Sequence, residues 1–124
     1  MRPLGKLEER LMSLMWDGER RTVRDVVGRL DDELAYTTVM TTLDRLFKKG
    51  LLARAKSGAA FTYRSRMSRD QYHQALVEEQ IGGLLEQSTG PVLAAFVDTA
   101  ARLDERNLRR LEQLIAKRRA KNKS

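Results

Sequence analysis

Cysteine is absent from this 124-residue sequence. That excludes disulfides, thiolate metal sites, iron–sulfur clusters and thiol redox sensing by the chain. Long apolar runs are absent too: none approaches the length of a membrane span, so no membrane insertion is expected. The first residues, MRPLGKLEERL, carry charges where a signal peptide needs an apolar stretch. With the missing cysteine, this makes the cytoplasm the expected compartment. Histidine occurs once, at His73, with no partners at metal-ligand spacing. No metal or cofactor is expected there, and a solvated or packed ring is the ordinary reading. Glu8-Glu9 and Glu78-Glu79 are neighbours on helix surfaces, not facing carboxylates. Gly82-Gly83 has no phosphate-loop context. No nucleophile, base and oxyanion site come together, so the chain does not read as an enzyme.

What is present in excess is positive charge. The net charge is +7 and the isoelectric point about 10.1, which suits a polyanionic partner. The charge is unevenly spread. Residues 1–36 hold seven basic and eight acidic side chains, a net of −1. Residues 37–66 hold seven basic side chains against Asp44 alone, a net of +6. Residues 67–124 hold ten basic and eight acidic, a net of +2. On this division the excess lies in thirty residues near the middle, the pattern of an electrostatic footprint.

The apolar spacing gives the elements. Leu4, Leu7, Leu11, Leu14 and Met15 predict a first helix over 4–16, ended by Gly18. Thr22-Val-Arg-Asp25 has the form of a capping box. It opens a short second helix carrying Val23, Val26, Val27 and Leu30, closed by Asp31-Asp32. Val39, Leu43, Leu46 and Phe47 form one stripe of a third helix over about 37–49, although threonine is a poor helix former. Thr37 or Thr38 is the expected cap, and Gly50 the stop. Period two follows. Leu51, Ala53 and Ala55 alternate with Leu52, Arg54 and Lys56. After Ser57-Gly58, Phe61, Tyr63 and Ser65 alternate with Thr62, Arg64 and Arg66. This is a β-hairpin, expected to be small-apolar and aromatic inside and mostly basic outside.

Three more helices complete the chain. Ser68-Arg-Asp-Gln71 is a second capping box, opening a long helix with Leu76, Val77, Ile81, Leu84 and Leu85; Gly82-Gly83 is expected to weaken or bend it. Gly90-Pro91 begins the next, which bears Val92, Leu93, Phe96 and Val97. Asp104 caps the last, with Leu103 expected to pack on Leu108 as a hydrophobic staple. Leu108, Leu111, Leu114 and Ile115 form its stripe, and the basic run Lys117–Lys123 is expected to fray. Trp16 is expected to pack at the end of the first helix. The fold class is therefore mainly α with a small β-hairpin. A winged helix-turn-helix domain over 1–66 precedes a helical region over 67–124. These last helices must bury their stripes on the first domain or on a second copy.

The third helix raises the functional question, because four threonines fall within six residues. At roughly 100° per residue, Thr38, Thr41, Arg45 and Lys48 lie opposite the apolar stripe, Thr42 and Lys49 at one edge, and Thr37 and Asp44 toward the other. A helix entering a major groove needs short side chains. A threonine hydroxyl bonds base or phosphate, its methyl touches thymine, and a guanidinium pairs with guanine O6 and N7. Lys48 and Lys49 would meet the rising phosphate backbone. Arg54, Lys56, Arg64 and Arg66 of the hairpin would reach a flanking phosphate or the minor groove. Exposed threonines and charged helix faces also occur with no role. The joint pattern of a short polar face followed by a basic hairpin is more specific, and it points to double-stranded DNA.

The stretches AYTTVMTTLDRLFKKGLLAR and GAAFTYR resemble the penicillinase-repressor (BlaI/MecI) family of winged-helix regulators, most strongly over residues 5–66. The resemblance implies a homodimeric repressor that binds inverted-repeat operators, often of antibiotic-resistance genes. It implies base reading from Thr37, Thr38, Thr41, Thr42 and Arg45. It implies dimerisation through the C-terminal helices, here through Val92, Leu93, Phe96, Val97, Leu108, Leu111, Leu114 and Ile115. Copper-responsive relatives use a cysteine-rich metal site, which this chain cannot build. In the β-lactam branch a membrane sensor-protease triggers cleavage at an Asn–Phe bond. The matching bond is Ala95–Phe96, where the asparagine is missing and the ordinary reading of Phe96 is a plain core or interface residue. Two other readings stay open: a protein-interaction adaptor, which calls for an apolar third-helix face, and a small-molecule-sensing regulator, for which the last helices offer few aromatics.

Overall fold

The computed structural model describes residues 3–31 and 34–123. In chain order the elements are α1 (Lys6–Met15), β1 (Arg21–Thr22), α2 (Val23–Arg29), α3 (Tyr36–Lys48), β2 (Leu52–Ser57), β3 (Ala60–Ser65), α4 (Arg69–Gln87), α5 (Thr89–Leu103) and α6 (Arg106–Asn122). The chain divides into two compact units, Met1–Glu79 and Gln80–Ser124. The division falls within α4, later than the 66/67 boundary expected from the order of the elements. The reason is that Tyr72 is buried and Leu76 packs on the first unit's core.

Short-range chemistry sets most element ends. The Thr22 hydroxyl accepts from Asp25 N–H at 3.1 Å while the Asp25 carboxylate accepts from Thr22 N–H at 2.9 Å. Ser68 and Gln71 make the same reciprocal pair at 3.0 and 2.9 Å. Each satisfies two N–H groups that the first helical turn leaves without partners. Asp32, expected to help close α2, lies outside the described residues. α3 departs from expectation at its start. Ala35 is its N-cap and no side chain caps it, so Thr37 and Thr38 stand inside the first turn with their hydroxyls outward. Gly50 follows the helix at φ +86°, a left-handed conformation glycine adopts without steric cost.

The hairpin turns through Gly58 and Ala59. Gly58 sits at φ +63° in the first central position of a two-residue turn, where a glycine is favoured. β2 and β3 pair antiparallel with Arg54 opposite Tyr63 and Lys56 opposite Phe61. Directly opposed residues share a face. Arg54 and Lys56 therefore lie with Phe61 and Tyr63, while Arg64 lies opposite Ala53 on the other face. The expected division into an apolar inside and a basic outside is corrected: the basic side chains are split between the two faces. The two-residue strand β1, too short to show a period, joins the far edge of β3, giving the sheet order β1-β3-β2.

The core of the first unit comprises Leu11, Met12, Met15, Val23, Val26, Val39, Leu43, Leu46, Leu51, Leu52, Tyr63 and Tyr72. α1, α2 and α3 turn their apolar stripes to it, and the sheet closes one side. Trp16 packs at the end of α1 with its ring centroid 5.7 Å from that of Tyr72. Arg21 is also buried. Its guanidinium donates to both Asp17 carboxylate oxygens at 2.7 Å and to the Leu14 carbonyl at 2.9 Å. These bonds tie the loop after α1 to the strand before α2.

In the second unit α5 and α6 pack on each other, linked by Asn107 donating to the Ala100 carbonyl at 2.8 Å. The Asp104 carboxylate accepts from Arg106 N–H at 3.0 Å, but the N-cap of α6 is Glu105, which makes no side-chain cap hydrogen bond, so the cap expected at Asp104 stands one residue too early. The staple does not form: Leu103 is 80% exposed, because the chain needs that residue to complete the last turn of α5. α4 runs unbroken through Gly82-Gly83, and the basic run expected to fray is helical to Asn122. Neither α5 nor α6 has a buried residue. No helix among the described residues is long and apolar enough to cross a membrane.

Candidate nucleic-acid interface

Burying the stripe Val39, Leu43 and Leu46 decides which side of α3 meets solvent. Thr37, Thr38, Thr41 and Arg45 are exposed. Their side chains make no hydrogen bond or ion pair within the described residues, Arg45 acting on the Glu8 carboxylate only through its charge, so three hydroxyls and one guanidinium stand open to a ligand. Lys56, Arg64 and Arg66 of the hairpin and its exit are exposed and equally free.

Three residues expected in the interface are committed elsewhere, and a fourth is partly so. Thr42 is 4% exposed, and its hydroxyl donates to the Thr38 carbonyl at 2.8 Å. It stands only about 40° from Leu46 around the helix, inside the buried sector, and bonding back one turn satisfies its hydroxyl. Thr42 is therefore corrected from a reading residue to a core residue. The Lys49 ammonium donates to the two Glu8 oxygens at 3.0 and 2.7 Å, tying the end of α3 to α1. Burial pushes the Glu8 carboxyl up, but the Lys49 hydrogen bond and the Gly5 N–H together pull harder, and its pKa is lowered.

Arg54 is the largest change of role. It donates to Asp44 at 3.0 Å. Its guanidinium lies 4.1 Å from the Phe47 ring centre and 4.4 Å from that of Phe61. A planar cation between two ring faces is a stable arrangement. Arg54 thus braces the wing against α3 instead of pointing at a phosphate, a correction that follows from the strand register. Lys48 also reaches Asp44, at 3.0 Å, but remains 71% exposed. A surface pair of this kind is weak, so its ammonium stays available. The Lys48 hydrogen bond first, with the Arg54 charge behind it, holds the Asp44 carboxyl below its ordinary range.

Three large apolar side chains lie beside this face, where spacing alone gives no sign of them. Tyr36, Met40 and Phe61 are each more than 40% exposed. They line a cleft of about 480 Å³ between α3 and the wing, with Thr41, Asp44 and Arg24 at its edges. Strand alternation predicts Phe61 as interior, but the face it occupies continues past the end of the core. His73 is exposed beside Tyr72. Among the described residues, no group of three or more His, Cys, Asp or Glu is placed to hold a metal ion.

Residues 4–117 match the family described as "Penicillinase repressor". The chain is similar to the transcriptional regulator BlaI of Mycobacterium tuberculosis (strain CDC 1551 / Oshkosh), 35% identical over 103 residues, covering 81% of this chain and 73% of that protein. It is also similar to an uncharacterized 16.5 kDa protein in the ptsI 3' region of Latilactobacillus sakei, 26% identical over 110 residues and covering 87% and 75% of the two. Among solved structures, the solution structure of the DNA binding domain of the repressor BlaI has a TM-score of 0.49 and 26% identity, covering 58% of this chain and 94% of that one.

Proposed function

The chain belongs to the penicillinase-repressor family of transcriptional repressors, and from that premise we propose that it acts as a homodimer occupying an inverted-repeat operator in duplex DNA. Each protomer lays α3 in a major groove. Thr37, Thr38 and Thr41 offer hydroxyls and methyls to base edges, and Arg45 offers a bidentate donor to guanine. Lys48, Lys56, Arg64 and Arg66 meet phosphates. Tyr36, Met40 and Phe61 rest against sugars. A two-fold pair reads half-sites about 34 Å apart, and repression follows from covering promoter DNA.

The observation that supports this best is the row Thr37, Thr38, Thr41 and Arg45, exposed and without a side-chain hydrogen bond or ion pair among the described residues, beside a braced wing. Dimerisation uses the apolar face left open on α5 and α6, where Leu93, Phe96, Val97, Leu114 and Ile115 are 40–63% exposed. The genes controlled are antibiotic-resistance genes of the β-lactamase type, and the compartment is the cytoplasm. Relief comes from a membrane sensor-protease pathway cutting at Ala95–Phe96, both exposed within α5. That bond must leave the helix before a protease can hold it.

Footprinting of the purified protein on genomic fragments tests the proposal. Protection of paired half-sites is expected, with affinity falling about 10³–10⁵-fold between 50 and 200 mM salt if 6–10 phosphates are neutralised. Arg45→Ala should weaken operator binding by about 1–3 kcal/mol and binding to random duplex much less. No preference for any duplex, even in dilute buffer, would sink it.

A further inference from the structure

The boundaries of α6 expose a second concentration of charge. Residues 67–105 hold two basic side chains against seven acidic, a net of −5. Residues 106–123 hold eight basic against Glu112 alone, a net of +7. Taken as one segment, 67–124 hides this, because the two parts nearly cancel. α6 is as cationic as the stretch around α3 and its wing.

Four of the eight basic side chains are placed to one side, while Arg118, Arg119, Lys121 and Lys123 are spread around the C-terminal end of the helix. At about 100° per residue, Arg106, Arg109, Arg110 and Lys117 fall within a sector of about 100°, and the stripe Leu108, Leu111, Leu114 and Ile115 occupies the other side. The cationic row extends about 16 Å from Arg106 to Lys117 at 1.5 Å per residue. Arg106 and Arg110 lean on Asp104 at 2.9 and 3.5 Å. Arg109 and Lys117 are exposed and make no hydrogen bond or ion pair among the described residues.

Two ordinary explanations fall short. Cations near a helix C-terminus complement its carbonyls, which accounts for the last turn but not for three arginines in the first turns. A membrane-surface helix lays its apolar stripe into the lipid. Here Leu108 and Leu111 are half-buried and α6 packs on α5, so the side left outward in its first half is the charged one. The first turns offer charge outward, the exposed Leu114 and Ile115 beyond them lie on the stripe side, and a charged face of this kind suits a polyanion read through its backbone alone.

We propose that the cationic face of α6 is a second, sequence-independent docking site for the phosphate backbone of duplex DNA. The proposal rests on the reading of the chain as a DNA-binding repressor and adds a site to it. Full-length wild type and Arg109→Gln/Lys117→Gln are titrated with labelled random duplex and with operator over a range of KCl. The double variant is expected to bind both duplexes about tenfold or more weakly at low salt. Its slope of log affinity against log salt should be shallower by about 0.9 for each phosphate no longer neutralised. The operator-to-random ratio should stay unchanged, unlike that of Arg45→Ala, and Arg109→Lys/Lys117→Arg should keep the full slope. Sedimentation of the variant should match wild type. If wild type binds duplex and the double variant shows the same slope, the second site is refuted while the repressor reading stands. A flatter slope accompanied by a changed sedimentation coefficient overturns it as well, because the helix then acts through assembly. Weaker binding to phosphatidylglycerol vesicles with an intact DNA slope overturns it in favour of a lipid partner. Failure of wild type to bind any duplex removes both readings.

Discussion

Arg54→Ala separates bracing from phosphate binding. In the folded chain the Arg54 guanidinium lies 4.1 and 4.4 Å from two ring centres and its side chain is 27% exposed. Each cation–π interaction is worth about 0.5–1 kcal/mol at a partly exposed site, so the rings alone contribute about 1–2 kcal/mol. For a unit of this size, each kcal/mol shifts Tm by about 4–8 °C. A fall of about 4–16 °C is therefore expected for Arg54→Ala, read by circular dichroism on melting and by urea titration. Arg54→Lys is the sharper probe. An ammonium keeps the charge but cannot lie flat between two rings or fork to a carboxylate, so it should recover less than half of the stability. DNA affinity should drop in both variants because the wing is no longer held to α3, with the salt slope unchanged. If Arg54→Lys matches wild type in stability, or Arg54→Ala flattens the slope by about 0.9 while Tm holds, Arg54 binds a phosphate after all.

Thr42→Val should leave operator affinity within about twofold, since the hydroxyl is already spent inside the helix, whereas Thr41→Val should weaken the operator alone; equal effects would return Thr42 to the reading face. Acid should destabilise the first unit through Asp17, whose carboxyl the Arg21 hydrogen bonds, helped by Glu19 N–H, hold well below the usual range. A depressed folded pKa gives stability that is full above the unfolded value of about 3.9 and lost as pH falls toward the folded one. Asp17→Asn should therefore be less stable at neutral pH and show a flatter acid limb in urea titrations below about pH 4; an unchanged limb would show that the pair does not stabilise the fold. Truncation after residue 88 should yield monomers with weak operator binding; a truncated chain that still sediments as a dimer would place the interface elsewhere.

How much is legible depends on how far apart the partners are. The capping boxes at Thr22 and Ser68 span three residues each, and both can be read from the letters alone. The stripe of α3 and the stop at Gly50 are equally local. Composition misplaces the cap of α3 because two hydroxyls in the first turn look like caps, while Ala35 carries no signal. The strand β1 leaves no trace in the sequence because two residues cannot display a period. The cationic face of α6 is hidden for a different reason. Its residues are visible, but their charge is averaged over a segment whose true boundary, near Asp104, is set where α5 ends.

The amino-acid order by itself determined the helices, the hairpin and the side of α3 on which Thr38, Thr41 and Arg45 stand, since each follows from spacing within one element. Only the tertiary structure decided which cations are free. Lys49 is claimed by Glu8, forty-one residues earlier, and Arg54 by Asp44 and two aromatic rings. Periodicity carries no information about such pairs. Strand register and helix packing bring them within bonding distance, and a charge that finds a partner inside the fold is no longer free to seek one in the groove.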